Sequence, residues 1–164
     1  MKRTLLILRH GKSLRGPEFA TDFERPLAPR GIKAASRMAR FAKRKKLVPE
    51  LIIASEAARA LRTAELFVAE LDDVELVRHD EIYDADIDDL YDIIEEIDNR
   101  YRRVMLVGHN PTFEMFVDDL TGTYNTVLKT CSLAVVVNNC AGWHGFAETD
   151  GKLAGVYHPR ELPD

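Results

Sequence analysis

The sequence predicts an α/β protein built as three layers, with a mostly parallel, open sheet covered by helices on both faces. Two observations lead to this prediction. Short runs of consecutive apolar residues, such as residues 5–8, lack the alternation of half-buried strands and are typical of strands buried on both faces. Between these runs lie segments whose apolar residues recur with the helical period, and alternating strands and helices favour parallel pairing.

The individual elements follow from the same patterns, taken in chain order. Apolar runs predict strands at residues 5–8, 51–55, 74–77, 104–107 and 133–138. Apolar stripes predict three helices, with inward-facing residues Ile32, Ala35, Ala39 and Ala42, then Ala57, Leu61, Ala64 and Val68, then Ile87, Leu90, Ile94 and Ile97. Pro111 suits the first position of a fourth helix, with Asn110 as its cap. The segments WHGFAE and KLAGVYH predict a C-terminal hairpin around Asp150 and Gly151.

Length and composition narrow the class of protein. The 164 residues suit one domain, residues 1–164, that is long enough to bury a core. A net charge of −4 does not fit a nucleic-acid-binding protein, and no apolar run approaches the roughly 20 residues that cross a bilayer. The run at residues 5–8 is too short for a signal peptide, so we expect a cytoplasmic protein with neither nucleic acid nor membrane as a partner. Cys131 and Cys140 show no CxxC spacing and are expected to be buried, inert thiols.

Polar and charged residues follow several predicted strands at the point where each strand ends. Arg9 and His10 follow the first strand, Ser55 ends the second, and His109 closely follows the fourth. Ligands of open parallel sheets bind beyond the carboxyl ends of the strands, so we expect these side chains to meet at one edge. Together with Arg59, one turn into the next helix, they would place several positive groups together. The anion that suits planar guanidinium groups is a phosphoryl group or a carboxylate.

Two other kinds of site fit the sequence less well. A metal ion beside His10 would be repelled by Arg9, and neither HxH nor HExxH spacing occurs, so we expect no metal and no cofactor. A P-loop nucleotide site is excluded because the GxxxxGK[ST] pattern is absent.

Five segments, in order along the chain, resemble the histidine phosphatase superfamily, and most closely its short SixA-type phosphohistidine phosphatases. One of them, EIYDADIDDL (81–90), resembles the region after the third strand. LRHGKS (8–13) is similar to the RHG signature, and DFERPLAPRG (22–31) resembles the D-x-x-RPL-x-x-x-G segment. SEAARALRTAE (55–65) resembles the S-P-x-x-R-A-x-x-T-A-E segment, with glutamate in place of the proline, and LVGHNP (106–111) the segment of the second catalytic histidine. The resemblance implies a phosphoglycerate mutase-like fold.

The resemblance also implies roles for individual residues. His10 would attack phosphorus and become phosphohistidine, which water would then hydrolyse, while His109 would donate to the phosphoryl oxygens. The implied phosphate-binding residues are Arg9, Arg59, Arg25 and Ser13.

The acid that would protonate a leaving group is less clearly marked. The candidates are Asp22, Glu24, Glu81 and Asp84. Other branches of the superfamily place an acidic residue in this role, and Glu81 lies in the corresponding region. A phosphohistidine leaving group that is protonated on its other ring nitrogen departs neutral, whereas an alkoxide needs a positioned acid. A chain without an obvious acid is therefore better suited to N–P than to alkyl O–P hydrolysis.

These observations together predict a metal-independent phosphatase that acts on phosphohistidine in proteins, with a small phosphorylated compound as the other possible substrate. A small-molecule phosphomonoesterase of the same superfamily is the alternative enzyme. An alternative of another class is a catalytically idle domain that only binds phosphorylated partners.

Overall fold

A mostly parallel, six-stranded sheet lies at the centre of the computed structural model, which describes residues 2–163. The strands are β1 (Lys2–Arg9), β2 (Leu51–Ser55), β3 (Glu75–His79), β4 (Arg103–Gly108), β5 (Leu133–Asn139) and β6 (Lys152–Tyr157). Their order across the sheet is β3-β2-β4-β1-β5-β6. The strands β3, β2, β4 and β1 pair in parallel, whereas β5 runs antiparallel to both of its neighbours. The α/β fold class predicted from the sequence is confirmed.

Helices cover both faces of the sheet and produce the predicted three layers. They are α1 (Pro29–Arg44), α2 (Ala58–Glu70), α3 (Ile87–Glu95), α4 (Thr112–Thr121) and the short α5 (Trp143–Phe146). Single 3-10 turns form at Asp22–Glu24 and Pro159–Glu161. Within residues 2–163, none of these helices has the length and apolar character that a bilayer span requires.

Two apolar clusters, one on each face of the sheet, hold the layers together. On β1, Leu5 and Ile7 pack into the cluster that includes α3 and α4, while Leu6 and Leu8 pack into the cluster that includes α1 and α2. The alternation of side chains along a strand makes this division, and an uninterrupted apolar run satisfies both faces. All four residues are completely buried, so β1 is anchored from both sides.

Most predicted elements are present, with local shifts. The strand predicted at residues 74–77 begins one residue later and is mostly exposed, because β3 lies at the edge of the sheet. Ile32 was expected to face inward, and this is wrong: its side chain is 37% exposed, and Ala35, Met38 and Ala42 form the buried face of α1. Cys131 and Cys140 are buried free thiols, as predicted.

Two predictions for local structure are wrong. Asn110 does not cap α4, since its amide Nδ2 donates to Leu128 O instead, and Pro111 lies one position before the helix. WHGFAE does not form a hairpin strand, because its first four residues are α5 and β6 pairs with β5. The buried Trp143 explains this difference: its indole Nε1 donates to Tyr101 O, and its backbone N–H donates to Asn99 Oδ1. Those contacts hold the segment as a helical turn packed against one face of the sheet, where Trp143 and Phe146 join the core.

Close backbone contact joins the first turn of α1 to the segment that follows β1. Ala28 N–H donates to Lys12 O at 2.8 Å, and a Cβ at Gly11 would lie 2.9 Å from Gly31 O. A Cβ at Gly31 would in turn clash with the backbone oxygen of Lys12. Only glycine therefore fits at position 31 without moving the segment that carries His10.

Replacing Gly31 by alanine is expected to destabilise the fold by about 1–3 kcal/mol, because the added methyl group meets backbone and not a flexible side chain. Urea unfolding followed by circular dichroism measures this loss. Gly145→Ala is the matched control, since its Cβ would lie at an ordinary 3.6 Å from the Cβ of Cys140. Equal stability of the two variants would contradict the packing argument.

Candidate active site

The end of β1 holds His10 in place through its backbone. His10 N–H donates to Gly108 O at the end of β4, and Cys131 N–H donates to His10 O. The next amide, Gly11 N–H, donates to Thr63 Oγ1, whose hydroxyl donates to Arg59 O on α2. Three elements at the carboxyl edge of the sheet thus fix the position of His10 relative to Arg59.

The hydrogen bonds of the His10 ring define which nitrogen can react. Nδ1 lies 2.7 Å from Gly11 O, and because a carbonyl oxygen can only accept, Nδ1 carries the proton. Nε2 therefore bears the free lone pair. Arg59 Nε donates towards this atom at 3.4 Å, which agrees with an unprotonated Nε2.

The second histidine lies beside the first, with the ring centroids of His10 and His109 5.2 Å apart. His109 Nε2 is 2.8 Å from Ser55 Oγ, and that oxygen also accepts the Ala57 N–H. Ser55 is completely buried, and His109 Nε2 is the acceptor within reach of its hydroxyl proton among the described residues, so the hydroxyl donates to His109 Nε2. This arrangement leaves the proton on His109 Nδ1, a buried atom without a hydrogen-bond partner among the described residues.

A small cavity of about 210 Å³ opens between these side chains, and we call it the edge cavity. Its lining residues are Arg9, His10, Lys12, Ser13, Arg15, Arg25, Arg59, His109, Asn110 and Thr130. Of the described residues that line the edge cavity, five are lysine or arginine and none is aspartate or glutamate. Arg9 Nε and His109 Nδ1 are buried N–H groups of lining residues and have no partner among the described residues. The positive charge of the lining suits a tetrahedral oxyanion.

Asp22 supplies a negative charge next to the edge cavity. Its Oδ2 accepts from Arg59 at 3.0 Å and from the Tyr83 hydroxyl at 2.6 Å, while Oδ1 accepts from Arg25 Nε at 2.9 Å. Its backbone oxygen accepts a further bond from Arg59. The Tyr83 hydrogen bond, followed by those of Arg25 and Arg59, holds the pKa of Asp22 well below its ordinary value. Asp22 is therefore a carboxylate at neutral pH.

The same surroundings keep both histidines neutral. Burial, reinforced by the charges of Arg59, Arg9 and Arg25, lowers the pKa of His10 to about 4, although the bond to Gly11 O partly opposes the shift. Burial, followed by the effects of His10 and Arg59, lowers the pKa of His109 to about 3. Both rings are therefore uncharged at the pH of a cell, each with one protonated and one unprotonated nitrogen.

Most predicted site residues lie around the edge cavity. Arg9, His10, Ser13, Arg25, Arg59 and His109 all line it, and Arg25 donates to Ser13 Oγ at 2.8 Å. Asp22 is not among the described residues that line the cavity, but its carboxylate is paired with the lining residue Arg59. Glu81 is exposed and is not among the described residues that line the cavity. Glu24 and Asp84 are also exposed.

Sequence reasoning missed two residues that organise the site. Tyr83 donates to Asp22 and packs edge-on against the His109 ring, with 5.4 Å between the ring centroids. Thr63 connects Gly11 to Arg59, and its signal was present in the motif RALRTAE, where threonine lies one helical turn after the arginine. No periodic pattern marks Tyr83, because it belongs to the loop between β3 and α3.

We searched residues 2–163 for side chains that could bind a metal ion together. No group of three or more His, Cys, Asp or Glu side chains within that range is arranged to hold a metal ion.

Comparison with known proteins identifies related sequences and folds. The model of the histidine phosphatase superfamily (branch 1) matches residues 5–115. An uncharacterized protein of Mycobacterium leprae (strain TN) is 30% identical over 167 residues, covering 93% of this chain and 100% of that protein. The crystal structure of a proposed phosphohistidine phosphatase SixA from Agrobacterium tumefaciens is 26% identical, with a TM-score of 0.82, and the match covers 96% of this chain and 98% of that chain.

A further similar structure is that of the protein histidine phosphatase SixA in complex with tungstate. It has a TM-score of 0.84 and covers 98% of this chain and 99% of that chain. At 22% sequence identity, this likeness concerns the fold. The three-layer arrangement described above is thus that of phosphoglycerate mutase-like proteins.

The depressed histidine pKa values can be measured by NMR with labelled imidazole rings. We expect His10 and His109 to stay neutral as the pH falls below 6, and to protonate near pH 4 and pH 3. The unfolded rings would bind protons near pH 6.5, so the free energy of unfolding should decrease as the pH drops from about 6.5 towards 4.

His10→Gln and His109→Gln spectra assign the two signals, in buffer without phosphate or sulfate. Titration of either ring near pH 6.5 would show that it is not held in the buried, positively charged surroundings described here.

Proposed function

The chain belongs to the histidine phosphatase superfamily, and from that premise we propose that residues 1–164 act as one domain that hydrolyses phosphohistidine in proteins through a covalent intermediate on His10. The observation that carries this proposal is the ring of His10, which lines a cavity rich in cations: its Nδ1 proton is bonded to Gly11 O, and its unprotonated Nε2 accepts only a long bond of 3.4 Å from Arg59 Nε. A neutral imidazole so held is a nucleophile at neutral pH.

In the first step, His10 Nε2 attacks the phosphorus atom of the substrate. A bond forms between Nε2 and phosphorus, the bond from phosphorus to the leaving group breaks, and the leaving group takes that electron pair. The Nδ1 proton stays on the ring and continues to bond Gly11 O. Because this bond fixes the ring, the lone pair needs no reorientation before the attack.

The phosphoryl oxygens would be held by Arg9, Arg59, Arg25 and Ser13. Arg59 has five N–H groups, of which two are engaged by Asp22 O and Asp22 Oδ2. Its Nε–H is released from His10 when Nε2 attacks phosphorus, so three are left for the substrate. His109 Nδ1–H would donate to the same oxygens. Donors that are fixed before the reaction stabilise the charge that spreads over these oxygens in the transition state.

In the second step, water attacks the phosphorus atom of phosphorylated His10. The bond between Nε2 and phosphorus breaks, its electron pair returns to Nε2, and inorganic phosphate is released. The positive side chains supply the electrostatic stabilisation that a metal ion provides in other phosphatases, so the proposed reaction requires neither metal nor cofactor.

The choice of phosphohistidine as the substrate rests on the leaving group. The carboxylate of Asp22 has no proton to give, and the exposed Glu81 does not line the edge cavity. A phosphohistidine that is protonated on its other ring nitrogen leaves as neutral imidazole and needs no acid, whereas an alkoxide does. Asp22 is then a positioning residue that orients Arg59 and Arg25.

The covalent intermediate can be tested by labelling. Brief incubation with radioactive phosphoramidate, followed by rapid denaturation, should leave a label on His10 that is labile in acid and stable in base. His10→Ala should lose the label and reduce turnover by on the order of 10³-fold or more, while EDTA should change neither.

Arg62→Gln is a comparison variant at an exposed position of α2 outside the lining of the edge cavity, and it should retain the label. Phosphate binding to the wild type without any label or turnover would instead indicate a catalytically idle binding domain.

A leaving-group series tests the role of Asp22. The wild type should hydrolyse a phosphohistidine peptide fastest, an aryl phosphate more slowly and a simple alkyl phosphate slowest. Asp22→Asn should lower kcat/KM for all three by a similar factor, about ten- to a hundredfold, because Arg59 and Arg25 lose their anchor.

Glu81→Gln is the matched variant for the other acid candidate. If either variant loses alkyl phosphate hydrolysis selectively, that residue is a general acid. Comparable wild-type turnover of the peptide and the alkyl phosphate would favour a small-molecule phosphomonoesterase.

A further inference from the structure

A second, larger cavity of about 450 Å³ adjoins the edge cavity, and Lys12 and Thr130 line both. We call it the basic cavity. Its lining residues are Lys12, Arg30, Lys33, Ala34, Arg37, Lys129, Thr130, His158, Pro159 and Arg160. Most are lysine or arginine, and no carboxylate occurs among these described residues. The whole chain has a net charge of −4, so this surface has the opposite sign to the average.

The fold brings these cations together from distant parts of the chain. Arg30, Lys33 and Arg37 are spaced to lie on one face of α1, within its first three turns. The close contact of Gly31 with Lys12 sets this face beside the edge cavity. Lys129 comes from the segment before β5, and Arg160 from the turn after β6.

The positive charges of this surface are available to a partner. Lys12, Arg30, Lys33, Lys129 and Arg160 are exposed, and none of them takes part in the ion pairs found between described residues. Like charges held side by side repel one another, so a complementary anionic surface gains free energy by approaching them.

The exposure of the residues that line the basic cavity indicates that its partner is a protein surface and not a small ligand. Small-molecule sites combine apolar walls with a few fixed, buried polar groups. The edge cavity has such groups, since His10 and Arg59 are 7% and 6% exposed, but every described residue lining the basic cavity is exposed or half-buried. Mobile, solvated lysine and arginine side chains suit the carboxylates of an acidic protein surface, which they attract over a distance.

We propose that the basic cavity binds aspartate and glutamate side chains of an acidic phosphoprotein while its phosphohistidine enters the edge cavity. This proposal rests on the function proposed above and specifies its substrate: a protein with carboxylates close to the phosphorylated histidine. The basic cavity increases the rate of productive encounter and selects among phosphoproteins, while the edge cavity carries out the chemistry.

The test compares two synthetic phosphohistidine peptides, one flanked by Asp and Glu and one flanked by Asn and Gln. At low ionic strength, the wild type should hydrolyse the acidic peptide with the higher kcat/KM. The triple variant Lys33→Gln, Lys129→Gln, Arg160→Gln should reduce the ratio of the two values about tenfold, mainly through KM. Raising the salt concentration should reduce the wild-type ratio in the same way, since salt screens exposed charges.

The matched control removes the same number of charges from the opposite edge of the sheet. Lys2, Arg102 and Lys152 are exposed at the amino ends of β1, β4 and β6, and their replacement by Gln gives the same net charge as the first triple variant. This control should keep the wild-type ratio. An equal loss in the control would overturn the proposal, because net charge alone would then explain the effect.

Other outcomes separate the failure of this proposal from the failure of the proposed function. Equal hydrolysis of the two peptides by the wild type would overturn the role of the basic cavity and leave phosphohistidine hydrolysis intact. Hydrolysis of an aryl phosphate but of neither peptide would overturn the proposed function itself. If the first triple variant lost activity only towards a small compound with several phosphates, the basic cavity would be a small-molecule subsite instead.

Discussion

Repulsion among the cationic side chains around the edge cavity is the constraint on which the rest of the site depends. Arg9, Arg25 and Arg59 line a cavity of about 210 Å³, partly shielded from water, where like charges interact more strongly than in solution. Two features limit this repulsion. The buried histidines stay neutral, and Asp22 neutralises part of the charge of Arg25 and Arg59. The remaining positive charge is balanced when an oxyanion binds, so affinity for phosphoryl groups follows from the same repulsion that opposes folding.

The fold must keep these arginine side chains close together although their charges repel one another. The strand β1 lies between β4 and β5, and its apolar residues are buried on both faces of the sheet. Burial of such side chains contributes about 1.5–3 kcal/mol each, which is comparable to the cost of bringing a charged group into a partly dry site. Hydrogen bonds from His10 to β4 and from Gly11 to α2 then extend this rigidity beyond the last residue of the strand. A mobile loop at this position would let the arginines separate and would lose the aligned lone pair.

The sequence reveals the parts of this arrangement that depend on burial and strand order. A strand covered on both faces is recognisable as an apolar run, and the polar residues after such runs meet at one edge because parallel strands align their carboxyl ends. This is why His10, His109 and Arg59 could be placed together in advance. Individual hydrogen bonds could not, since they depend on partners far along the chain. Asn110 binds Leu128 O instead of capping α4, and the loop residue Tyr83 reaches Asp22 across 61 positions.

The two groups of cations differ in burial, and this difference separates chemistry from recognition. Arg9 and Arg59 lie in the wall of the edge cavity and are partly or fully shielded from water, so salt should screen their effect on the transition state less than it screens exposed charges. Lys33, Lys129 and Arg160 are solvated, and ions at physiological strength screen them beyond about 8 Å. Under the proposed function, substitutions at these exposed positions would change which phosphoprotein is bound without moving His10. Selectivity among partners would then change while the proposed reaction centre, with its neutral and rigidly held histidine, stays the same.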